Sequence, residues 1–438
     1  MKGKIRTIIV ILSLVLSACS VAKNPTTSST PKAPDPMPVD SSPTSGENNS
    51  STTSPINSIN PSDDVENLLS KLTLKEKIGQ MFFIASRTNG SAQYQLAMDE
   101  RLKNNLNQFV PGGFILFTEN LDTIPQTVSF IQSIQKNAKI PLFIGIDEEG
   151  GVVTRLNRAE KLHSTVMPEP YTIGLTKNKS YAFQASQAIS EEIKSLGFNL
   201  NFAPVADVFS NSNNRIIGRR AYANDGLLAS EMVSEAVKGA QKSGIIPVLK
   251  HFPGHGDTLQ DSHTGAAIVE NSLERLKKVE LLPFMAGIEA GAEMVMTAHV
   301  LTPQITDNGL PATLSQPILQ GILREQLGFD GIIITDGLEM SAISSFYPEE
   351  EAVVLAVQAG VDMLLLPKDL KKAYNAILLA VQDDRISEQR IDESVRRILK
   401  LKIKTIINEP IQNIEAEKVL GSQQHRDLAD QIGKDSKP

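Results

Sequence analysis

Eight short apolar runs recur between Gln80 and Leu366, each about the length of a strand: Gln80–Ala85, Gly113–Phe117, Leu142–Ile146, Leu200–Ala203, Pro247–Lys250, Met294–Thr297, Gly331–Thr335 and Asp362–Leu366. Val, Ile, Leu and Phe without polar alternation are what parallel strands buried on both faces require. Helical patterns such as Tyr181–Leu196, Leu227–Lys242, Leu273–Ala290 and Pro317–Leu327 lie between them. Parallel strands need long crossovers, so eight strand–helix repeats predict an α/β fold of the (β/α)8 TIM-barrel type, one domain over residues 63–405. An open doubly wound sheet shares this alternation and stays open on pattern alone. No G-x-G-x-x-G or G-x-x-x-x-G-K-[ST] loop follows a strand, which argues against nucleotide binding.

The ends of the chain read differently. Lys2, Lys4 and Arg6 precede an apolar run from Ile8 to Leu16, too short for a bilayer core of about 30 Å, and the run closes on Leu16-Ser17-Ala18-Cys19. This resembles the signal of bacterial lipoproteins, whose lipobox cysteine is acylated. The resemblance implies a signal peptide over residues 1–19, lipidation of Cys19 and a lipid anchor on the extracytoplasmic side of the bacterial membrane, at the cell surface or in the periplasm. Cys19 is the single cysteine, so neither an intramolecular disulfide nor a cysteine-based zinc cluster can form. Residues 20–62 are Ser, Thr, Pro and Asn with few large apolar side chains, the composition of a disordered tether. A formal charge of −7 with no basic block argues against a nucleic-acid partner.

In a barrel of this type, function gathers where strands run out into loops at their C-terminal ends. Polar residues collect there: Asp147 after the third strand, Asp207 after the fourth, Lys250-His251 after the fifth, His299 after the sixth and Asp336 after the seventh. Any one of them could instead cap a helix. The densest segment runs from Lys250 to His263 and holds three of the six histidines. His251 and His255 would share a helix face as zinc ligands do, but Pro253, Gly254 and Gly256 argue against a helix, and no metal is expected. Asp261 and His263 are two apart, so the carboxylate could orient the imidazole and favour its protonated form, as proton transfer at neutral pH requires.

Read as K-H-F-P-G-H-G-D-T-x-x-D-S-H, Lys250 to His263 resembles the signature of the β-N-acetylglucosaminidase branch of glycoside hydrolase family 3. Four further stretches resemble that family in order: Gly145-Ile146-Asp147-Glu148-Glu149-Gly150-Gly151 with Arg155 beyond it, Asn201 to Asp207, Ile217-Gly218-Arg219-Arg220-Ala221-Tyr222, and Ile334 to Met340. The likeness covers roughly Val65 to Leu401. It implies Asp336 as the nucleophile of a covalent glycosyl-enzyme, His263 held by Asp261 as acid/base, and Asp147, Arg155, Arg220, Lys250 and His251 as the grip on the sugar. His255 would order its Gly-rich loop. With no Trp in the chain, an aromatic sugar platform would fall to Phe252 or Tyr222.

The expected activity is that of a retaining exo-β-N-acetylglucosaminidase, a β-N-acetylhexosaminidase. It would act as a monomer without cofactor on GlcNAc-terminated muropeptides or chitooligosaccharides. A neutral imidazole, unlike a carboxylate, would not repel an incoming anion, so inorganic phosphate could compete with water for the intermediate. Gly337 stands where many relatives carry an acidic or small residue, which bears on fine specificity. Residues 406–438 resemble the helix leading into a second α/β domain of some relatives, so a barrel lacking that domain and carrying its own acid/base is expected. The rival readings are a family 3 β-glycosidase of other specificity and a non-catalytic sugar-binding lipoprotein.

Overall fold

A computed structural model describes residues 65–88, 93–258, 267–406 and 413–437. In chain order its strands are β1 Phe82–Ile84, β2 Gly113–Ile115, β3 Phe143–Ile146, β4 Leu200–Asn201, β5 Ile246–Phe252, β6 Ala267–Ile268, β7 Met294–Thr297, β8 Val300–Leu301, β9 Ile332–Ile334 and β10 Leu364–Leu365. Each of the eight apolar runs overlaps a strand. These strands pair in the order β10-β1-β2-β3-β4-β5-β7-β9, every neighbour parallel, while β6 and β8 pair separately. A parallel bridge between Ile334 and Met363 joins the two ends of the sheet, with Asp362 N donating to Ile333 O at 2.8 Å. The fold is a (β/α)8 barrel, and the open sheet is excluded.

Strand side chains fill the interior. The rings of Phe83 and Phe202 meet edge to face at 5.3 Å between centroids. Gly113 makes room for them, since a Cβ there would lie 2.4 Å from the Phe83 ring. Truncating a ring buried like this costs about 3–5 kcal/mol.

Two of the long outer helices start on side-chain caps. Asn178 accepts from Ser180 N to open Lys179–Leu196, and Asp225 accepts from Leu228 N to open Gly226–Lys242. The expected helix over Leu273–Ala290 is instead two, Leu273–Lys278 and Leu282–Glu289. Pro283 explains the break: it has no N–H to reach back to Val279, and Val279 leaves helical geometry (φ −138°, ψ −70°). Pro317–Gln326 forms a wide π-type helix. At the C-terminus, helices Asn413–Val419 and Gln423–Asp435 pack on Lys179–Leu196, where His425 bonds Glu192 and Glu191 at 3.0 and 3.1 Å.

The N-terminal end of the barrel is closed by buried polar contacts. Asp362 accepts from Arg324 and Ser394 at 2.6 Å, Ile333 N at 3.0 Å and Arg397 at 3.2 Å. Lys402 donates to Gln80 at 2.7 Å beneath the Phe143 ring, and burial drives its amine well below the usual lysine range.

Candidate active site

The site is built from the strand ends at the opposite, C-terminal face. β3 runs into Asp147-Glu148-Glu149. Glu148 turns inward and accepts from Thr154 Oγ1, from Arg155 N at 2.7 Å and from Leu156 N at 3.0 Å. Asn201, on β4, brackets its peptide with bonds of 3.0 and 2.9 Å. The loop therefore doubles back and delivers Arg155 to Asp147, with Nη2 to Oδ2 at 3.1 Å. Burial raises the Glu148 carboxyl to about 7 in spite of these donors.

Lys250 is the hub. Its Nζ lies 2.9 Å from Asp147 Oδ1 and 2.6 Å from Glu149 Oε1. Arg220 grips Glu149 with two parallel bonds of 2.9 and 2.8 Å, a geometry a lysine cannot supply. Burial would raise both acids; Lys250 and Arg155 hold Asp147 below the usual range, and Arg220 and Lys250 hold Glu149 well below it. The structure thus brings Asp147, Arg155, Arg220, Lys250 and His251 together. One boundary is corrected: the fifth strand does not end at Lys250 but runs from Ile246 to Phe252, so Lys250 and His251 both lie within it. Their side chains are therefore carried by sheet backbone.

Asp207 is fully buried beneath this cluster. Its Oδ2 lies 2.7 Å from His251 Nδ1 and its Oδ1 accepts from His255 N at 2.6 Å. His251 Nε2 then faces Arg220 Nη2 at 3.4 Å. His255 Nδ1 bonds Thr258 Oγ1 at 2.8 Å, and its carbonyl accepts from Asn214 Nδ2 at 2.7 Å, so this residue orders its own loop. The loop must also press against the backbone after β4, where a Cβ on Gly256 would lie 1.7 Å from Val208 O.

Asp336 follows β9. Its N–H donates to Thr297 O at 3.3 Å, and its Oδ1 accepts from Gly337 N at 2.7 Å. His299 secures the next peptide, with Nε2–H donating to Gly337 O at 3.1 Å and Nδ1 bonded to Thr313 Oγ1 at 2.8 Å. Burial works against the Asp336 charge, but His251, His299 and Lys250 hold its carboxyl below the usual range. It therefore favours the ionised form at neutral pH.

Phe252 and Tyr222 are not sugar platforms. Phe252 is 0% exposed and packs edge-on against Phe284 at 5.3 Å, while Tyr222 is 6% exposed. Both rings belong to the core. Asp261, His263 and Cys19 lie outside the described residues. Glu149 had no assigned role in the sequence reading, although a signal existed: Arg155, Arg220 and Lys250 are three cations against the single carboxylate Asp147, and buried cations demand partners. Asp207 and His299 stood out only as strand-end residues.

The sequence model of the Glycosyl hydrolase family 3 N terminal domain matches residues 73–401. Beta-hexosaminidase A of Pseudoalteromonas piscicida is 33% identical over 394 residues, covering 82% of this chain and 65% of that protein. Beta-hexosaminidase of Stenotrophomonas maltophilia strain R551-3 is 33% identical over 295 residues, 66% of this chain and 85% of the relative. The solved structure of a glycoside hydrolase family 3 beta-N-acetylglucosaminidase from Paenibacillus sp. str. FPU-7 superposes with a TM-score of 0.76 at 37% identity, covering 83% of this chain and 69% of that one. The chain spans just under two thirds of the length of the Pseudoalteromonas relative. With the barrel, the rim cluster and the match over residues 73–401 in agreement, this chain belongs to glycosyl hydrolase family 3.

Proposed function

We propose that this protein is a retaining exo-β-N-acetylglucosaminidase that removes terminal β-GlcNAc from peptidoglycan fragments. The observation that carries the reading is the Asp336 carboxylate at the end of β9, close to His251 and to Lys250, whose ammonium binds both Asp147 and Glu149. Asp336 attacks the anomeric carbon. His263, held by Asp261, protonates the departing oxygen and then draws a proton from water to release the sugar. Asp147 accepts sugar hydroxyls, while Arg155, Arg220, Lys250 and His251 donate to hydroxyls and the acetamide carbonyl. Relatives named beta-hexosaminidase and beta-N-acetylglucosaminidase support the choice of an acetamido sugar. The signal over residues 1–19 and Cys19 support an extracytoplasmic, lipid-anchored protein whose tether lets the barrel reach cell-wall fragments.

The test is turnover of an aryl β-N-acetylglucosaminide and the matching aryl β-glucoside by the native protein, Asp336→Ala and His263→Ala. Preference for the acetamido sugar, lost in the first variant and impaired in the second, is expected. Equal turnover of both glycosides would remove the assigned substrate. Tight binding of N-acetylglucosamine without any turnover would leave a sugar-binding lipoprotein.

A further inference from the structure

The C-terminal helices Asn413–Val419 and Gln423–Asp435 take no part in the chemistry above, yet the turn between them reaches the loop that carries the sugar-gripping residues. Gly421, in that turn, has φ +56°, and a Cβ there would lie 2.2 Å from His163 O. Only a glycine lets the turn sit against that peptide. Glu192, on the helix Lys179–Leu196 and 3% exposed, bridges the two segments. Its Oε2 accepts from Thr165 N at 3.0 Å, and its Oε1 accepts from Thr165 Oγ1 at 2.5 Å and from Gly421 N at 3.0 Å. His425 Nδ1 lies 3.0 Å from the same Oε1.

From Thr165 the contacts run on to the sugar pocket. Met167 N donates to Thr165 O at 3.0 Å, and Met167 O accepts from Gly151 N at 3.0 Å. Gly150 and Gly151, with φ of +85° and +60°, turn the chain directly after Glu149. That turn is pressed onto the segment beyond Met167, where a Cβ on Gly151 would lie 2.3 Å from Glu169 Cβ. Glu149 N donates to Val153 O at 2.9 Å, which closes the turn that brings Arg155 back to Asp147. A buried carboxylate contributes little net stability, but with every donor in place it fixes geometry closely. The helix Gln423–Asp435 has other means of staying docked: Ile432 is fully buried, and Asp435 accepts from the Tyr181 hydroxyl.

The geometry points to Glu192 as a positioning residue. It uses the C-terminal helices as a buttress that holds the loop after β3, and with it Asp147 and Arg155, in the arrangement that grips the sugar. This rests on the sugar-binding part of the reading above and adds to it the element that keeps the pocket in shape.

Glu192→Gln, Thr165→Val, Thr165→Ser and His425→Leu, each in the full chain, test this. An amide has one acceptor oxygen and turns an NH2 toward the remaining donors, so Gln cannot serve both sides of the bridge. In Glu192→Gln and Thr165→Val, KM for the aryl β-N-acetylglucosaminide and the dissociation constant of N-acetylglucosamine should both rise about tenfold. His425→Leu should raise both by a smaller factor, and Thr165→Ser, which keeps the hydroxyl, should stay near the native values. Neither constant depends on how much of a preparation is folded, so a purely structural role would leave both unmoved. Native constants in Glu192→Gln and Thr165→Val, with a lowered unfolding temperature, would confine Glu192 to docking the helix and overturn the inference. A rise in Thr165→Ser equal to that in Thr165→Val overturns it too, and a rise in Thr165→Val with none in His425→Leu overturns the part given to the C-terminal helices. Sugar binding without turnover by the native protein removes the glycosidase reading, and the dissociation constants then decide the inference on their own. Neither binding nor turnover removes both.

Discussion

The two ends of the barrel each bury a cluster of charges, and they use them differently. At the N-terminal end both oxygens of Asp362 are occupied, one by Ser394 and Arg397 and the other by Arg324 and Ile333 N. That cluster ties the helices Pro317–Gln326 and Glu388–Thr405 to the point where β9 meets β10. At the C-terminal end capacity is left over. The Asp336 carboxylate accepts one bond among the described residues, from Gly337 N, and Arg155 Nε has no hydrogen-bond partner among them. Burial and charge are common to both ends, so neither marks a site. Unspent hydrogen-bonding capacity facing a pocket does.

This contrast can be broken by substitution. Asp336→Ala should lower turnover by about a thousandfold or more while thermal unfolding shifts by only a few degrees. Asp362→Asn should do the reverse. It leaves Arg324 and Arg397 without their carboxylate and costs about 3–5 kcal/mol in chemical denaturation, with kcat/KM of the folded fraction preserved. Lys250→Met is the case between: it removes the cation that Asp147 and Glu149 share and leaves each with a single arginine, so both stability and KM should suffer, the latter by about tenfold or more. A change in only one of the two would show that the upper cluster is purely structural or purely a binding device.

The smallest expected effect is in the pH dependence. Asp147, Glu149, Asp207 and Asp336 have lowered carboxyls, so the stability they supply is present above their unfolded values near pH 4 and is lost only as pH falls through the depressed folded values. Glu148 has the opposite sign. Its carboxyl rises from 4.5 to about 7, so the folded state holds the proton more tightly and stability declines as pH climbs across that window. The decline amounts to about 3 kcal/mol or less. Denaturation of the native protein and Glu148→Gln at pH 5 and 7.5 should show the slope in the first and its loss in the second.

Much of the barrel was legible because its strands are buried on both faces, and unbroken runs such as Phe143-Ile144-Gly145-Ile146 can satisfy little else. The residues behind those strands were legible as site candidates for the same topological reason. Pairings were not. That Glu149 binds Arg220, 71 residues away, or that Asp207 orients His251, depends on which strand ends meet in space. The split at Val279 could have been read from Pro283, four residues on, whose missing N–H and ring both disfavour a continuous helix. The aromatic reading failed because Phe252 sits on the last residue of β5, where it turns into the core toward Phe284.

Trapping the glycosyl-enzyme is the most direct measurement of Asp336 as the nucleophile. A 5-fluoro β-N-acetylglucosaminyl fluoride should form the intermediate faster than water releases it, and intact-mass and peptide-fragment spectrometry then locate the adduct. One added sugar per chain is expected, on the peptide containing Asp336, and none on Asp336→Asn. An adduct on another carboxylate, or an Asp336→Asn variant that turns over substrate at the native rate, would contradict it.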